Sequence, residues 1–294
     1  MKATLPTSIQ IPRVLTIAGS DSGGGAGLQA DLKVITSLGA YGMTVITAIT
    51  AQNTLGVSHI QDIDLEVVEA QMDAVFQDIG VDVVKIGMLA SPEIVRVVAS
   101  TLRRYQAKKI ILDPVLRATS GASLGGDDTA QAIITELFPL ATIITPNLEE
   151  ASLLLGREVA NLSDFKLAAE ELLDMGPQAV LIKGGHLDAK HTQLTDYLMW
   201  RTVEDGLEVL QSKEFTHYRV NTKNTHGTGC SLAAAIATYY AGGHDLSHSV
   251  AKAISYVEAG LEAGRFLSIG QGPGPLWHMH DFYATVLTDK EGKH

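Results

Sequence analysis

Six short apolar runs restrict this chain more than any other feature. Each closes on glycine or a polar residue, and segments of helical periodicity lie between them. Val14–Ala18, Thr44–Thr50, Val81–Gly87, Lys109–Asp113, Ala141–Thr145 and Ala179–Lys183 are too short for buried helices and rich in β-branched residues, so they read as strands. Ala26–Leu38 carries Leu28, Leu32, Ile35 and Leu38 at helical spacing and stops at Gly39. Further helices are expected over Leu65–Phe76, from Ser91 with Pro92 at its first position, and over Thr129–Leu137, Glu149–Leu155 and Ser163–Met175. Such alternation with short turns predicts an α/β fold: a mostly parallel sheet with helices on both faces. The pattern then changes. Thr195–Thr202 and Leu207–Phe215 flank Glu204-Asp205-Gly206, which predicts an antiparallel hairpin at a sheet edge. Helices Cys230–Tyr240 and Ser247–Phe266, a Gly270–Pro275 loop and a last short helix complete the chain. No linker, repeat or low-complexity tract interrupts it, so residues 1–294 are expected to form a single domain.

Composition excludes several classes of function. An apolar fraction of 46% is too high for a disordered chain. The formal net charge of −11, without a basic stripe, argues against nucleic acid and anionic membranes as partners. Met1–Pro12 has no apolar run of the kind a signal peptide needs, and no stretch is apolar enough to span a bilayer. Cys230 is the only cysteine, so no internal disulfide can form, and a reducing, cytoplasmic setting is expected.

In open α/β sheets, ligands bind outside the carboxyl ends of the strands. Here those ends carry Gly19-Ser20-Asp21, Gln52-Asn53, Lys85-Ile86-Gly87-Met88, Asp113-Pro114-Val115, Thr145-Pro146-Asn147 and Lys183-Gly184-Gly185. Any one of them suits a plain turn, which favours the same residues; their recurrence suits a cleft.

Two glycine-rich stretches open helices. Gly19–Gly27 follows a strand but has neither the spacing of a dinucleotide fingerprint nor the Gly-Lys-Ser/Thr of a P-loop, which leaves a backbone that a small ligand can approach closely. Asn224-Thr225-His226-Gly227-Thr228-Gly229-Cys230 precedes an alanine-rich helix, where turned-in amides and the helix dipole create an anion hole without basic residues. Cys230 in the first turn of that helix is expected to have a depressed pKa. Asn147 and Glu150, three apart, suit either a hydrated Mg²⁺ or an N-cap with an acidic first turn. The ten histidines, including His244/His248 and His278/His280, form no zinc pattern.

Taken in order from about Val14 to about Tyr283, these motifs resemble the hydroxymethylpyrimidine/phosphomethylpyrimidine kinases, a family of the ribokinase-like superfamily. The resemblance is carried by Ile17–Asp31, Thr47–Thr54, Lys85–Leu89, Thr145–Ala151, Lys183–His186 and His226–Cys230. It implies a ribokinase-like α/β/α fold and phosphoryl transfer from ATP with Mg²⁺ to 4-amino-5-hydroxymethyl-2-methylpyrimidine and then to its monophosphate, for thiamine diphosphate synthesis. It further implies that Gln52, Asp31, Gly19, Met88 and Val115 meet the pyrimidine. Asp113, Asn147 and Glu150 would serve the metal, and Lys183, Thr225, Gly227 and Gly229 the nucleotide. Gly227, Thr228 and Gly229 would form the anion hole beside Cys230, the implied catalytic base, with Lys183 neutralising the transferring phosphate. A homodimer is usual in the superfamily. The segment 115–126 departs from the familiar version and reads as a flap, with Arg117 as its basic contact. A pyridoxal kinase is the nearest rival, because its substrate is also a flat heteroaromatic ring with a CH₂OH group. A non-catalytic binder on the same scaffold is the rival from another class.

Overall fold

The computed structural model describes residues 10–116, 126–185, 192–204 and 206–282. The flap expected near Arg117 lies for the most part outside them. Nine strands form one sheet: β1 (Arg13–Asp21), β2 (Tyr41–Asn53), β3 (Gly56–Asp62), β4 (Val83–Ile86), β5 (Ile110–Leu112), β6 (Ile143–Ile144), β7 (Ala179–Ile182), β8 (Gln193–Glu204) and β9 (Leu207–Tyr218). Their order is β3-β2-β1-β4-β5-β6-β7-β8-β9. The pairs from β2 to β7 are parallel, whereas β3 on one edge and β8–β9 on the other are antiparallel. The expected edge hairpin is therefore present, and a second antiparallel edge, β3, joins it. Gly56–Asp62 escapes a sequence reading because none of its residues is buried, so it has no alternating apolar face to betray it.

Among the described residues, eight α-helices cover the sheet: α1 (Gly27–Ser37), α2 (Leu65–Ala74), α3 (Pro92–Arg104), α4 (Gly126–Ala132), α5 (Leu148–Leu155), α6 (Leu162–Asp174), α7 (Thr228–Ala241) and α8 (Leu246–Gly264). Helix α3 starts as Ser91-Pro92 predicts, with the Ser91 hydroxyl accepting the Ile94 amide at 3.3 Å. The last turns after α2 and α4 widen over Val75–Ile79 and Ile133–Leu137, which sequence periodicity does not reveal. Among the described residues, no helix is long and apolar enough to cross a membrane.

Strand side chains alternate between two cores, as the pleat requires. Leu15, Val84, Ile110, Ile144 and Val180 pack with α2 to α6, while Val14, Val83, Ile111, Ile143 and Leu181 pack with α1, α7 and α8. Helix α7 owes its central place to small side chains: Ala233, Ala234, Ala235 and Ala237 are wholly buried, which lets its backbone sit close to the sheet and to its helical neighbours. The chain reverses direction across the sheet at β1, which has β2 on one side and β4 on the other. The carboxyl ends of these strands therefore splay apart into a crevice.

Removing a large side chain from this interior should show how firmly the layers are held. Phe138→Ala, at a fully buried ring, is expected to lower unfolding free energy by about 3–5 kcal/mol. Phe266→Ala, at a side chain 87% exposed, should change it by under about 0.5 kcal/mol. Urea denaturation of the two variants measures the contrast.

Candidate active site

The two glycine-rich stretches meet at the crevice. A Cβ on Gly227, which has φ +81°, would lie 1.8 Å from the Gly25 carbonyl oxygen, and one on Gly27 would lie 2.4 Å from that of Gly19. Only glycine permits either approach. The first stretch wraps a side chain of its own. Asp21 accepts the amides of Gly23 (2.7 Å), Gly25 (3.1 Å) and Ala26 (2.8 Å), and His226 Nε2 stands 3.1 Å from its Oδ2. Burial pushes the Asp21 carboxyl up, but His226 and the amides outweigh it and hold the group below the usual carboxylate range. The amides of Gly23, Gly25 and Ala26 are thus committed internally, and the loop's free contribution to the crevice is a backbone surface at Gly19, Ala26 and Gly27.

The resulting pocket also receives Gln52 and Thr50 from β2, Met88 and Val115 from beyond β4 and β5, and Cys230 from α7. Gly19, Gln52, Met88 and Val115 therefore stand together as expected. Asp31 does not join them. It is fully buried below the pocket floor, where its Oδ2 accepts Lys85 Nζ at 2.8 Å and Thr16 Oγ1 at 2.6 Å. The group that reaches the pocket from this pair is Lys85. Burial opposes its charge, but Asp31, with Cys230 and Asp113, raises its pKa, so it stays an ammonium.

Cys230 is half-buried at the pocket wall. The expected depression of its pKa is not found: burial pushes the thiol up to about 11, with Asp31 and Asp113 adding to the rise. Lys85 and the Gly27 amide pull the other way without prevailing. Desolvation outweighs the helix terminus here.

Helix α7 begins at Gly227 with no side-chain cap. Thr228 N and Oγ1 both bond the Thr225 carbonyl, and Ser231 N bonds that of Gly227. The amides of Gly229 and Cys230 have no acceptor among the described residues. The Thr228 hydroxyl is therefore used to close the turn, and Thr225 lies exposed beside it. Beside Gly229 stand Lys183 and Asp113: a Cβ there would be 3.4 Å from Lys183 Nζ and 3.7 Å from Asp113 Oδ2. Lys183 Nζ donates to Asp113 Oδ1 at 2.8 Å, an oxygen that also accepts Thr145 Oγ1 at 2.9 Å, and lies 3.9 Å from Glu150 Oε2. Burial lowers the Lys183 pKa, but Asp113 and Glu150 more than offset this. Glu150 is pushed up to about 7 by burial, against the pull of Lys183 and with Asp113 repelling it. Asn147 and Glu150 form a capping box: Glu150 N donates to Asn147 Oδ1 at 2.9 Å, and Asn147 N to Glu150 Oε2 at 2.8 Å. The capping alternative is thus realised, and Asn147 serves to anchor Glu150. Among the described residues, no three His, Cys, Asp or Glu side chains are grouped as a metal site.

The family profile described as phosphomethylpyrimidine kinase matches residues 21–277. Over 270 residues the chain is 47% identical to the hydroxymethylpyrimidine/phosphomethylpyrimidine kinase of Rhizobium meliloti (strain 1021), a match that covers 92% of this chain and 97% of that one. The chain belongs to the phosphomethylpyrimidine kinase family. Its fold is shared with the phosphomethylpyrimidine kinase of Clostridium difficile 630, at 40% identity and a TM-score of 0.70 over 84% of this chain and 98% of that one. It is shared also with the pyridoxal kinase of Staphylococcus aureus in complex with AMP-PCP and pyridoxal, at 32% identity and a TM-score of 0.81 over 93% and 96%. These are ribokinase-like folds, as the motifs imply.

Within this phosphomethylpyrimidine kinase framework, Asp21, Lys85, His226 and Asn224 do work that the motif reading leaves unassigned. Asn224 Nδ2 donates to the Gly264 and Leu267 carbonyls at 2.7 and 2.9 Å, which ties the loop before α7 to the end of α8. For Lys85 a signal exists in the sequence: Asp31 falls in the apolar stripe Leu28–Asp31–Ile35, and Lys85 lies in the run Val83–Ile86. Opposite charges in two buried stripes imply a pair.

Two measurements test these assignments. Lys85→Met leaves a buried carboxylate without its partner, so a loss of about 3–5 kcal/mol is expected by chemical denaturation, most of it recovered when Asp31→Leu is added. Alkylation of the lone cysteine by iodoacetamide should rise with a midpoint near pH 11 rather than the ordinary value near 9, since a raised pKa keeps the thiol protonated at neutral pH. A midpoint at or below 9 would contradict the desolvation argument.

Proposed function

We propose that this chain transfers the γ-phosphoryl group of ATP to 4-amino-5-hydroxymethyl-2-methylpyrimidine and then to its monophosphate, supplying the pyrimidine half of thiamine diphosphate. The observation that carries the reading is the first turn of α7, which joins two sites. Its Cys230 faces the pocket for a flat ring, and its Gly229 adjoins the Lys183–Asp113 pair. An alcohol placed at Cys230 would stand one residue from amides and an ammonium suited to a phosphoryl group. Phosphoryl transfer needs this positioning and charge neutralisation more than covalent catalysis.

Mg²⁺ fits the residues present. Asp113 Oδ2 and Glu150 Oε1 have no partner among the described residues, and both are hard oxygen donors. Two carboxylates suit an ion that keeps most of its water, with Asn147 holding Glu150 in place. When bound, Mg²⁺ supplies charge neutralisation to the phosphates. Lys183 remains the protein's own cation at the transferring group, and Thr225, Gly227 and Gly229 border the nucleotide. Asp31 is assigned to the support of Lys85 rather than to the substrate.

Cys230 is proposed as the base that takes the alcohol proton. Because its thiol is protonated at rest, only the ionised fraction acts, and that fraction grows tenfold per pH unit below about 11. A homodimer in a reducing cytoplasm completes the proposal. The exposed apolar side chains Ile49, Leu55 and Ile60 on the β2–β3 hairpin support a contact there, and the lone unpaired cysteine supports the compartment.

Steady-state kinetics with the pyrimidine, its monophosphate and pyridoxal tests the substrate assignment, which requires kcat/KM for both pyrimidines to exceed that for pyridoxal. The reverse order would assign the chain the activity named for its Staphylococcus neighbour. Cys230→Ala is expected to lower kcat by roughly 100-fold or more and to flatten a rate that otherwise climbs from pH 7 to 10. Near-normal turnover in that variant would reduce Cys230 to packing.

A further inference from the structure

Gln52 is held between two groups whose hydrogens are already assigned by other partners. Its amide nitrogen lies 3.3 Å from His226 Nε2 and its amide oxygen 3.2 Å from Thr50 Oγ1. Asp21 Oδ2, 3.1 Å from the same His226 Nε2, belongs to a carboxylate bonded by three backbone amides and has no hydrogen to give. His226 Nε2 must therefore carry the hydrogen, whether the ring is neutral or charged. The Thr50 hydroxyl has one hydrogen, and at 2.8 Å it faces the Ser20 carbonyl, which only accepts. Toward Gln52, Thr50 can then only accept. An NH₂ group facing N–H and a C=O facing a lone pair would be two repulsive contacts. A half-turn of the amide gives Thr50 Oγ1 a hydrogen bond from the NH₂ group and sets the C=O toward the N–H edge of His226, whose one hydrogen it then shares with Asp21; because the two ends of the amide have the same shape the turn disturbs no packing. The frame around it is rigid. Ser22 Oγ bonds both the amide and the carbonyl of the Gln52 backbone, at 2.9 and 2.7 Å, and the His226 ring is seated so closely on Gly25 that a Cβ there would lie 2.4 Å from it.

We propose that the Asp21–His226 pair sets the polarity of the Gln52 side chain, with its carbonyl toward His226 and its NH₂ toward Thr50, and so decides which order of donor and acceptor a ring must present to the pocket. This rests on the functional reading above. A 4-aminopyrimidine presents an amino donor beside a ring-nitrogen acceptor, whereas its 4-oxo analogue presents an acceptor beside an N–H donor. With the ring held by its CH₂OH group, a locked amide matches one order and opposes the other. His226 and Asp21 are thus positioning residues that discriminate amino from oxo rings. An amide released from them can turn to suit either.

The test compares kcat/KM for 4-amino-5-hydroxymethyl-2-methylpyrimidine and for 5-hydroxymethyl-2-methylpyrimidin-4-one. The wild-type chain should favour the amino ring by at least about tenfold, since the oxo ring sets donor against donor in a desolvated pocket. In His226→Phe the preference should fall toward unity, and in His226→Gln, whose NH₂ can serve both acceptors, most of it should return. If His226→Phe lowers both rates equally and leaves their ratio unchanged, His226 is structural only and the proposal is overturned. Equal use of the two rings by the wild-type chain overturns it without any variant. Should His226→Phe fail to fold, Thr50→Val, which removes the other end of the lock, must still reduce the ratio. A wild-type chain that phosphorylates neither ring refutes the functional reading and this proposal together. One that phosphorylates the amino ring without preference refutes this proposal alone.

Discussion

Two loops approach more closely than any side chain would allow, and the functional arrangement hangs on that contact. Gly227 of one loop lies against the Gly25 carbonyl of the other, whose own turn is closed by Gly27 against the Gly19 carbonyl. The contact brings the open end of α7 onto the end of β1, although these elements lie about two hundred residues apart in the chain. Without it, Cys230 would not share a pocket with Gln52, and His226 would not reach Asp21. The left-handed conformation at Gly227 then turns the chain so that helix amides face the crevice.

Electrostatics follows from this placement. A chain with eleven excess negative charges needs local positive potential to handle phosphate. Among the described residues, Lys85 is buried at the pocket floor and Lys183 is half-buried beside Gly229, each kept charged by a neighbouring carboxylate. Each pair is close to neutral at a distance, so the surface stays acidic while the crevice gains directed donors. Burial opposes charge on all three groups: a bonded carboxylate overcomes it at each lysine, whereas the pull of Lys85 and the Gly27 amide does not overcome it at Cys230.

Much of this is legible in the sequence, because strand ends and glycine turns are local features. The parallel sheet, the β8–β9 hairpin and the meeting of Gly19, Gln52, Met88, Val115 and Cys230 all follow from runs and motifs of a few residues. What is not legible depends on long-range burial. Asp31 belongs to a motif that suggests substrate contact, but its place in an apolar helical stripe puts it under the floor. Asn147 and Glu150 are compatible with both a cap and a metal until the backbone shows both capping hydrogen bonds. The Cys230 thiol is judged from the helix terminus alone if its desolvation is invisible. Strand β3 has no buried residue by which a sequence could announce it.

The alanines of α7 bear on how such a site can diverge. Ala233, Ala234, Ala235 and Ala237 are wholly buried, so a larger side chain there would overpack the space between the helix and its neighbours. The first turn of α7 is therefore poorly placed to be retuned by drift along the helix. New ring preferences have to arise at the rim, at the strand ends that carry Gln52, Met88 and Val115, where a changed side chain alters the pocket and leaves the helix terminus undisturbed. A scaffold divided in this way, with a fixed helix end and a replaceable pocket rim, suits an architecture shared by phosphomethylpyrimidine and pyridoxal kinases.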